Sequence, residues 1–481
     1  LSAVDLALAE AFRRASSPPD EKIETFGPER IVRTKPKART REPEMRQGLA
    51  VVWSCKMEFY GRIPITTAKK SGWYRFHITA SSIKQPKEHG VWCTVRSGPC
   101  VSSAPMLTLV GAFEATEQPK QWTFEAWMEE GHMLEIRPRD SALRVAKFAG
   151  GQVGAGEGEP QNVPGVAFHE IQVERIHRGA DRAQIRKYLF GDHASADAID
   201  LRLVSAKPKA DATKLLVSFA SRAMRRPVQP TEIQSYIDEV HEELDRGKPL
   251  TEALRNGYRS LLFSPRFLYL QETPGRLDHY AVASRLSYLL WQSMPDDELM
   301  SLAKAGKLHD PEVLKGQVSR MLAAPRGHDF VKHFADQWLD LRDIDFTEPD
   351  PKLYREFDQI VQLAMVDETR LFLHRMLAED RSVKELIDSD DSFLNSRLAR
   401  YYRIAGVEGD QMRPVAFTDK DRRGGVLTHG SILKITANGT TTSPILRGVW
   451  LAERLLGEHI PPPPQNVPAI EPDIRGAVSI R

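Results

Sequence analysis

Gly72-Trp73-Tyr74-Arg75-Phe76-His77-Ile78-Thr79-Ala80 decides how the first part of the chain folds. Tyr74, Phe76 and Ile78 fall on one side of a period of two, and Arg75, His77 and Thr79 on the other. That alternation is what a strand with one buried and one wet face requires. Strand-like runs recur from Met106 to Phe113, Trp122 to Met128, Met133 to Ile136 and Val166 to Val173, between turn signals such as Glu130-Gly131-His132. Short strands with polar connections predict an antiparallel β-sandwich, jelly-roll-like, over residues 49–178. Gly150, Gly151, Gly154, Gly156 and Gly158 precede the last strand. They lack the strand–turn–helix setting of a dinucleotide site and read as loop.

The sandwich carries aromatic faces on which a sugar ring can stack: Trp73, Trp92, Trp122 and Trp127. Trp122 shares a face with Phe124 and Met128 and is expected to point inward. Trp127 falls with Thr123 and Glu125 on the outer face, so it is the glycan-binding candidate, with Trp73 second. Core packing is the default for the others.

Upstream, residues 1–48 read as a short helix, stopped by Ser16-Ser17-Pro18-Pro19, and a charged linker. Its basic run Arg33, Lys35, Lys37, Arg39 and Arg41 fits a solvated connector better than a nucleic-acid arm. The net charge of +2 over 481 residues gives no global pull toward nucleic acid. No apolar stretch approaches the roughly 18–20 residues that span a bilayer. Cys55, Cys93 and Cys100 form no Cys-x-x-Cys pair, which excludes a zinc knuckle or a covalent haem site in this sequence. Cys93 and Cys100 suit a small disulfide loop or two unpaired thiols equally well. The chain starts at Leu1 rather than Met and stops at Arg481, so it reads as a fragment. Its lack of a signal peptide therefore says nothing about compartment.

After about 178 the period becomes helical. Two helical domains are expected, 179–272 and 273–405, followed by a Gly/Thr/Pro-rich segment, 406–481, with one helix. Asp278, Asp296 and Asp310 read as helix starts, and Pro295 and Pro311 as first-turn prolines. Glu356 to Met376 reads as the longest helix, and Ser392-Phe393-Leu394-Asn395 as the start of the last helix before the C-terminal segment, through Tyr402. The helices lack the paired Glu-x-x-His motifs of a di-metal site. Asp238 with His241 is a lone pair, and His328 and His333 diverge on a helix, so no metal centre is expected.

The C-terminal segment holds the oddest composition: Gly424-Gly425-Val426-Leu427-Thr428-His429-Gly430, then Ala437-Asn438-Gly439-Thr440-Thr441-Thr442-Ser443-Pro444-Ile445-Leu446-Arg447. Ser443, Arg447 and His429 are the catalytic candidates, Arg447 as a bidentate clamp for a carboxylate or other anion. The plainer reading makes Ser443 the N-cap and Pro444 the first residue of a helix to Leu456. Pro461 to Pro464 should be extended polyproline. There is no Gly-x-Ser-x-Gly elbow, phosphate loop or His-Glu-x-x-His, and the sequence specifies no reaction.

Several motifs carry a resemblance. They are Phe219-Ala220-Ser221-Arg222-Ala223-Met224-Arg225-Arg226-Pro227, Ser264-Pro265-Arg266-Phe267-Leu268-Tyr269 and Ser284-Arg285-Leu286-Ser287-Tyr288-Leu289-Leu290-Trp291. Met294-Pro295-Asp296-Asp297-Glu298-Leu299, Phe334-Ala335-Asp336-Gln337-Trp338-Leu339 and Leu394-Asn395-Ser396-Arg397-Leu398-Ala399 continue the series. With the Gly424 stretch, they resemble planctomycete-type cytochrome-like proteins built from consecutive domains of unknown function. The resemblance covers roughly residues 200–481. It implies export to the periplasm or cell envelope and a haem c attached outside this sequence, with a redox partner. A polysaccharide is the partner expected for the sandwich. The leading expectation is a glycan-binding sandwich joined to a helical module that serves a c-type cytochrome centre, in electron transfer or an oxidoreductase. The alternatives are a non-catalytic envelope scaffold, or an enzyme using the loop from Thr440 to Arg447.

Overall fold

The computed structural model describes residues 2–16, 22–32, 39–101, 107–193, 203, 205–272, 274–418 and 420–461. The expected proline stop at 17–19, Arg33, Lys35, Lys37, Met106 and the proline arm from Pro462 onward lie outside the described residues.

The alternating runs form an antiparallel sandwich. One sheet has the strand order Glu44–Arg46, Leu49–Trp53, Gly165–Ile176, Gly72–Ile83, Lys120–Met128, and the short strand Glu24–Phe26 also pairs with Gly165–Ile176. The second has the order Arg62–Ile63, Met133–Pro138, Val91–Gly98, Thr108–Ala115. Tyr74, Phe76, Ile78, Trp122, Ala126 and Met128 enter the core between the sheets, as their period requires. Cys55, Cys93 and Cys100 are separate buried thiols, and Cys93 belongs to this core. Arg39 and Arg41, the described end of the basic run, donate to the carbonyls of Ala149, Gln152 and Gly151, so they hold the glycine loop.

The helices follow the expected starts closely. Asp278 caps His279–Trp291, Asp296 caps Asp297–Lys304 and Asp310 caps Pro311–Ala323. Pro311 is the first helical residue as expected, whereas Pro295 lies just before the cap. The long helix is Gln359–Ala378, capped by Asp358. The N-terminal helix Ser2–Ser16 packs Leu8, Phe12 and Ala15 into the core of the helices between 182 and 263. Ser392–Leu394 departs from expectation. Asp391–Leu394 is a strand paired with Arg413–Ala416, and Asn395 starts the helix Ser396–Tyr402 by capping Leu398. The pairing partner lies about twenty residues downstream, so local composition could not announce it. Among the described residues no helix is long and apolar enough to cross a membrane.

Sandwich and helices share a polar interface. Trp92 donates to Ser396 Oγ at 3.3 Å, and Ser396 donates to Glu114 at 2.7 Å. Asp140 meets Arg397 and Arg400, while Lys120 and Trp122 reach Asp410. This interface is at the start of the strand Lys120–Met128, and Trp127 sits at its far end.

Candidate functional site

The Gly424 stretch folds back against the long helix. A Cβ at Gly425, whose φ is +65°, would sit 2.5 Å from the Leu386 carbonyl oxygen, so the position needs glycine twice over. Gly430 is equally confined: a Cβ there would meet the Tyr402 hydroxyl at 2.4 Å. The bare glycine lets its N–H donate to that hydroxyl at 2.8 Å, and Tyr402 donates to Glu368 Oε2 at 2.7 Å.

Glu368 begins a buried polar chain. It occupies the stripe Ile360, Ala364, Glu368, Phe372, Met376 of the long helix, and it is fully buried. Ser392 Oγ lies 3.2 Å from Glu368 Oε1 and 3.3 Å from His429 Nε2. Thr369 Oγ1 lies 3.0 Å from His429 Nδ1 and 2.7 Å from Ser431 Oγ. Burial pushes the Glu368 carboxyl up to about 7, against hydrogen bonds that favour its charge. Burial, with Arg423 nearby, holds His429 down to about 3. Ser392 donates to Glu368, so its oxygen accepts from His429 Nε2–H, and Nδ1 of the neutral ring accepts from Thr369. His429, offered by the sequence as a catalytic group, is therefore enclosed, with both ring nitrogens engaged.

In front of Tyr402 lies a cavity of about 370 Å³. Its walls include Tyr354, Phe357, Met365, Tyr401 and Tyr402, with Arg423, Lys434 and Arg447. The Arg423 guanidinium stacks 3.3 Å from the centre of the Tyr402 ring and donates to the Thr428 carbonyl. Lys434 donates to the carbonyls of Ile344 and Thr347. Burial lowers its pKa, against Asp345 and Glu348 nearby. Arg447 donates to Thr442 Oγ1 at 2.7 Å and Thr436 Oγ1 at 3.4 Å. The lining contains no carboxylate, histidine or cysteine. Its polar side-chain groups are hydroxyls, one ammonium and two guanidiniums.

Ser443 is a cap. Its Oγ accepts the Leu446 N–H at 3.3 Å, and Pro444 begins the helix Pro444–Trp450, which a π-helical turn, Leu451–Leu456, continues. Asn438 Oδ1 gathers the N–H groups of Thr440 and Thr441 and their hydroxyls, which accounts for two of the three threonines; Thr442 is the partner of Arg447. Replacing Ser443 by alanine should cost about 1 kcal/mol of stability, the usual worth of such a cap. Urea denaturation checks that value, and a loss far above it would give Ser443 a further role.

The second cluster is on the outer face of the larger sheet. Trp127 is 50% exposed and directly opposite Trp73, edge to face at 6.2 Å between ring centres. Arg178 stacks 3.6 Å from the Trp73 ring, and Trp127 Nε1 donates to Glu129. Rows of polar pairs continue the face: Arg75 with Glu125 and Glu174, His77 with Thr123, Gln121 with Thr79. Trp122 is buried, as its face predicts, and Trp92 is buried against the helices.

The sequence singled out Trp127, Trp73, His429, Ser443 and Arg447; Glu368, Tyr402, Arg423 and Lys434 were not among its candidates. A lone acid in an otherwise apolar helical stripe was the readable signal for Glu368. Of the histidines weighed as ligands, His328 stacks on His374 at 4.0 Å, and His241 meets the Lys209 carbonyl and the Thr213 hydroxyl.

Three family models match in succession. They are PSD5, protein of unknown function (DUF1595), over 211–272; PSD4, protein of unknown function (DUF1592), over 277–404; and PSCyt3, protein of unknown function (DUF1588), over 423–481. No curated protein matches the chain. Among solved structures, BiXyn10A CBM1 in its apo form is similar at 11% identity and a TM-score of 0.17, covering 34% of this chain and 94% of that one. A CBM29-2 variant, from work on ligand recognition by family 29 carbohydrate binding modules, is similar at 10% identity and a TM-score of 0.16, covering 34% and 86%. Likeness at this level assigns no ligand, so the sandwich is judged on its own surface.

Proposed function

We propose that this chain, whose three consecutive domains of unknown function are those found in planctomycete cytochrome-like proteins, is an envelope protein whose sandwich binds a polysaccharide. The helical region then serves a c-type haem centre and its redox partner. The observation that carries the glycan half is the outward tryptophan pair. Trp127 keeps half its surface in water, although burying a ring that large is favourable. Trp73 and a face of paired hydrogen-bonding side chains lie beside it. A flat aromatic surface flanked by polar groups suits the apolar face and hydroxyls of a sugar ring.

The haem half rests on the family alone. Covalent attachment takes two thiols and a histidine in Cys-x-x-Cys-His. Cys55, Cys93 and Cys100 are isolated and buried, so residues of this chain do not fit that attachment. The haem would sit on another segment or another protein, and no electron-transfer step runs through the residues described. Absorption spectra of a natural holo preparation separate the two halves: missing c-type bands would leave only the glycan-binding scaffold.

Trp127→Ala should weaken polysaccharide binding by about tenfold or more, as removal of a central aromatic contact does. Unfolding stability should stay within about 0.5 kcal/mol, because the ring is at the surface. A glycan array followed by calorimetry on the full chain checks both. Unchanged affinity for a bound glycan would remove the tryptophan face as its platform.

A further inference from the structure

We propose that the cavity in front of Tyr402 is a binding site for a ring-bearing carboxylate, with Arg423 and Arg447 as the anion clamp. The site is distinct from the tryptophan face and does not rest on it.

Charge carries the first step. The lining includes three cations and no carboxylate. Among the described residues none of the three has a carboxylate within 4.0 Å, unlike Arg320, which pairs with Asp296, and Arg370, which pairs with Asp336. Arg447 spends its bonds on two threonine hydroxyls, and Arg423 on one carbonyl and the Tyr402 ring. Neutral partners orient a guanidinium without cancelling its charge, so each arginine keeps N–H donors for a ligand. The cations of the lining give the cavity a positive bias toward an anion, moderated by Asp345 and Glu348 near Lys434 and by Asp421 and Glu368 near Arg423.

Shape and surface give the ligand class. About 370 Å³ is within the usual range for small-molecule pockets. Tyr354, Phe357, Tyr401 and Met365 offer flat apolar surface, which a bare inorganic anion would leave unused. The wall is also built to stay in place. Tyr402 is fixed by Gly430 N–H on one side and Glu368 on the other. Tyr354 donates to the Thr440 carbonyl, which ties the threonine loop to this wall. A cavity of about 540 Å³ near Arg226 lacks this bias, because Glu232, Glu272 and Asp278 line it with its arginines.

A ring carboxylate comes in two forms that share this chemistry, an acidic sugar or an aromatic acid. Calorimetry on the full chain in a Trp127→Ala background keeps the sandwich face out of the measurement. Trigalacturonate and 4-hydroxybenzoate are the two probes, with neutral trigalactose and 4-hydroxybenzamide as their partners. The expected result is that one acid binds at least tenfold tighter than its neutral partner. Arg447→Gln and Arg423→Gln should each weaken it by tenfold or more, with unchanged circular dichroism. The acid that binds identifies the source. No binding of either acid, equal binding of a neutral partner, or binding that survives both substitutions overturns the site. Failure of the tryptophan-face reading would appear separately, as unaltered glycan affinity in the Trp127→Ala variant.

Discussion

Replacing Arg397 by methionine should cost on the order of 3–5 kcal/mol, the loss seen when one partner of a buried ion pair is removed. Arg397 is 1% exposed. Its Nη2 donates to Asp358 Oδ2 at 2.7 Å, to the Glu356 carbonyl at 2.6 Å and to Ser141 Oγ at 3.1 Å. Its Nε stands 3.5 Å from Asp140 Oδ1, and the Asp140 side chain has no exposed surface. Methionine fills much of the volume but leaves two carboxylates short of a cation. Asp358 also caps the long helix through Val361 and accepts from Ser141 N–H, so the loss spreads to the helix that carries Glu368. Asp140 and Ser141 belong to the sandwich, and Asp358 and Arg397 to the helices. The variant should therefore loosen the coupling of the two regions as well as lower stability. Urea denaturation followed by tryptophan fluorescence measures both, with an earlier and less cooperative transition expected. Arg400→Met is the control. Arg400 also meets Asp140 but is 30% exposed in its side chain, so its loss should cost less. Equal midpoints for the two variants would show that Arg397 is not the linchpin.

The contrast between what local sequence announced and what it hid follows from range. Alternation within 72–80 determined a face for every residue, and the structure keeps that assignment through Trp122 and Trp127. Capping residues were as readable, because Asp278 and Asp310 act on N–H groups two or three positions away. Trp92 shows the limit. Its neighbours Val91, Cys93 and Val95 take the core, so Trp92 points away from it, yet it is 1% exposed because Ser396 covers it. Nothing near Trp92 in sequence states that a helix 304 positions later will dock there. The candidate site has the same character. His429 stood out by composition, but its sense depends on Thr369 of the long helix and Ser392 of the strand Asp391–Leu394, far from it in sequence. The glycines of the stretch looked like chemistry. Gly425 and Gly430 instead permit close approach of backbone and hydroxyl.

Glu368→Gln should change the pH dependence of stability, with a gain over the natural chain of about 3 kcal/mol between pH 4.5 and 7.5. The sign comes from two groups that pull in opposite directions. Glu368 rises from an ordinary 4.5 to about 7 in the folded chain. A raised acid binds its proton more tightly folded than unfolded, so its contribution is fully present below 4.5 and is lost as pH rises to 7. His429 falls from 6.5 to about 3. The unfolded chain binds that proton more tightly, so the His429 contribution is fully present above 6.5 and is lost as pH falls to 3. Between 4.5 and 6.5 the two slopes oppose each other, and the natural chain should show little pH dependence from this network. Glutamine keeps the size of Glu368 and an oxygen for Tyr402, but it cannot ionise. Only the His429 slope then remains, and stability should climb steadily from pH 3 to 6.5. Urea midpoints of both proteins across pH 3 to 8 give the test. A constant offset between the two curves from 4.5 to 7.5 would mean that Glu368 does not titrate there. A difference that grows with pH would show that the buried acid beneath the Tyr402 wall is held neutral by the fold at mildly acidic pH.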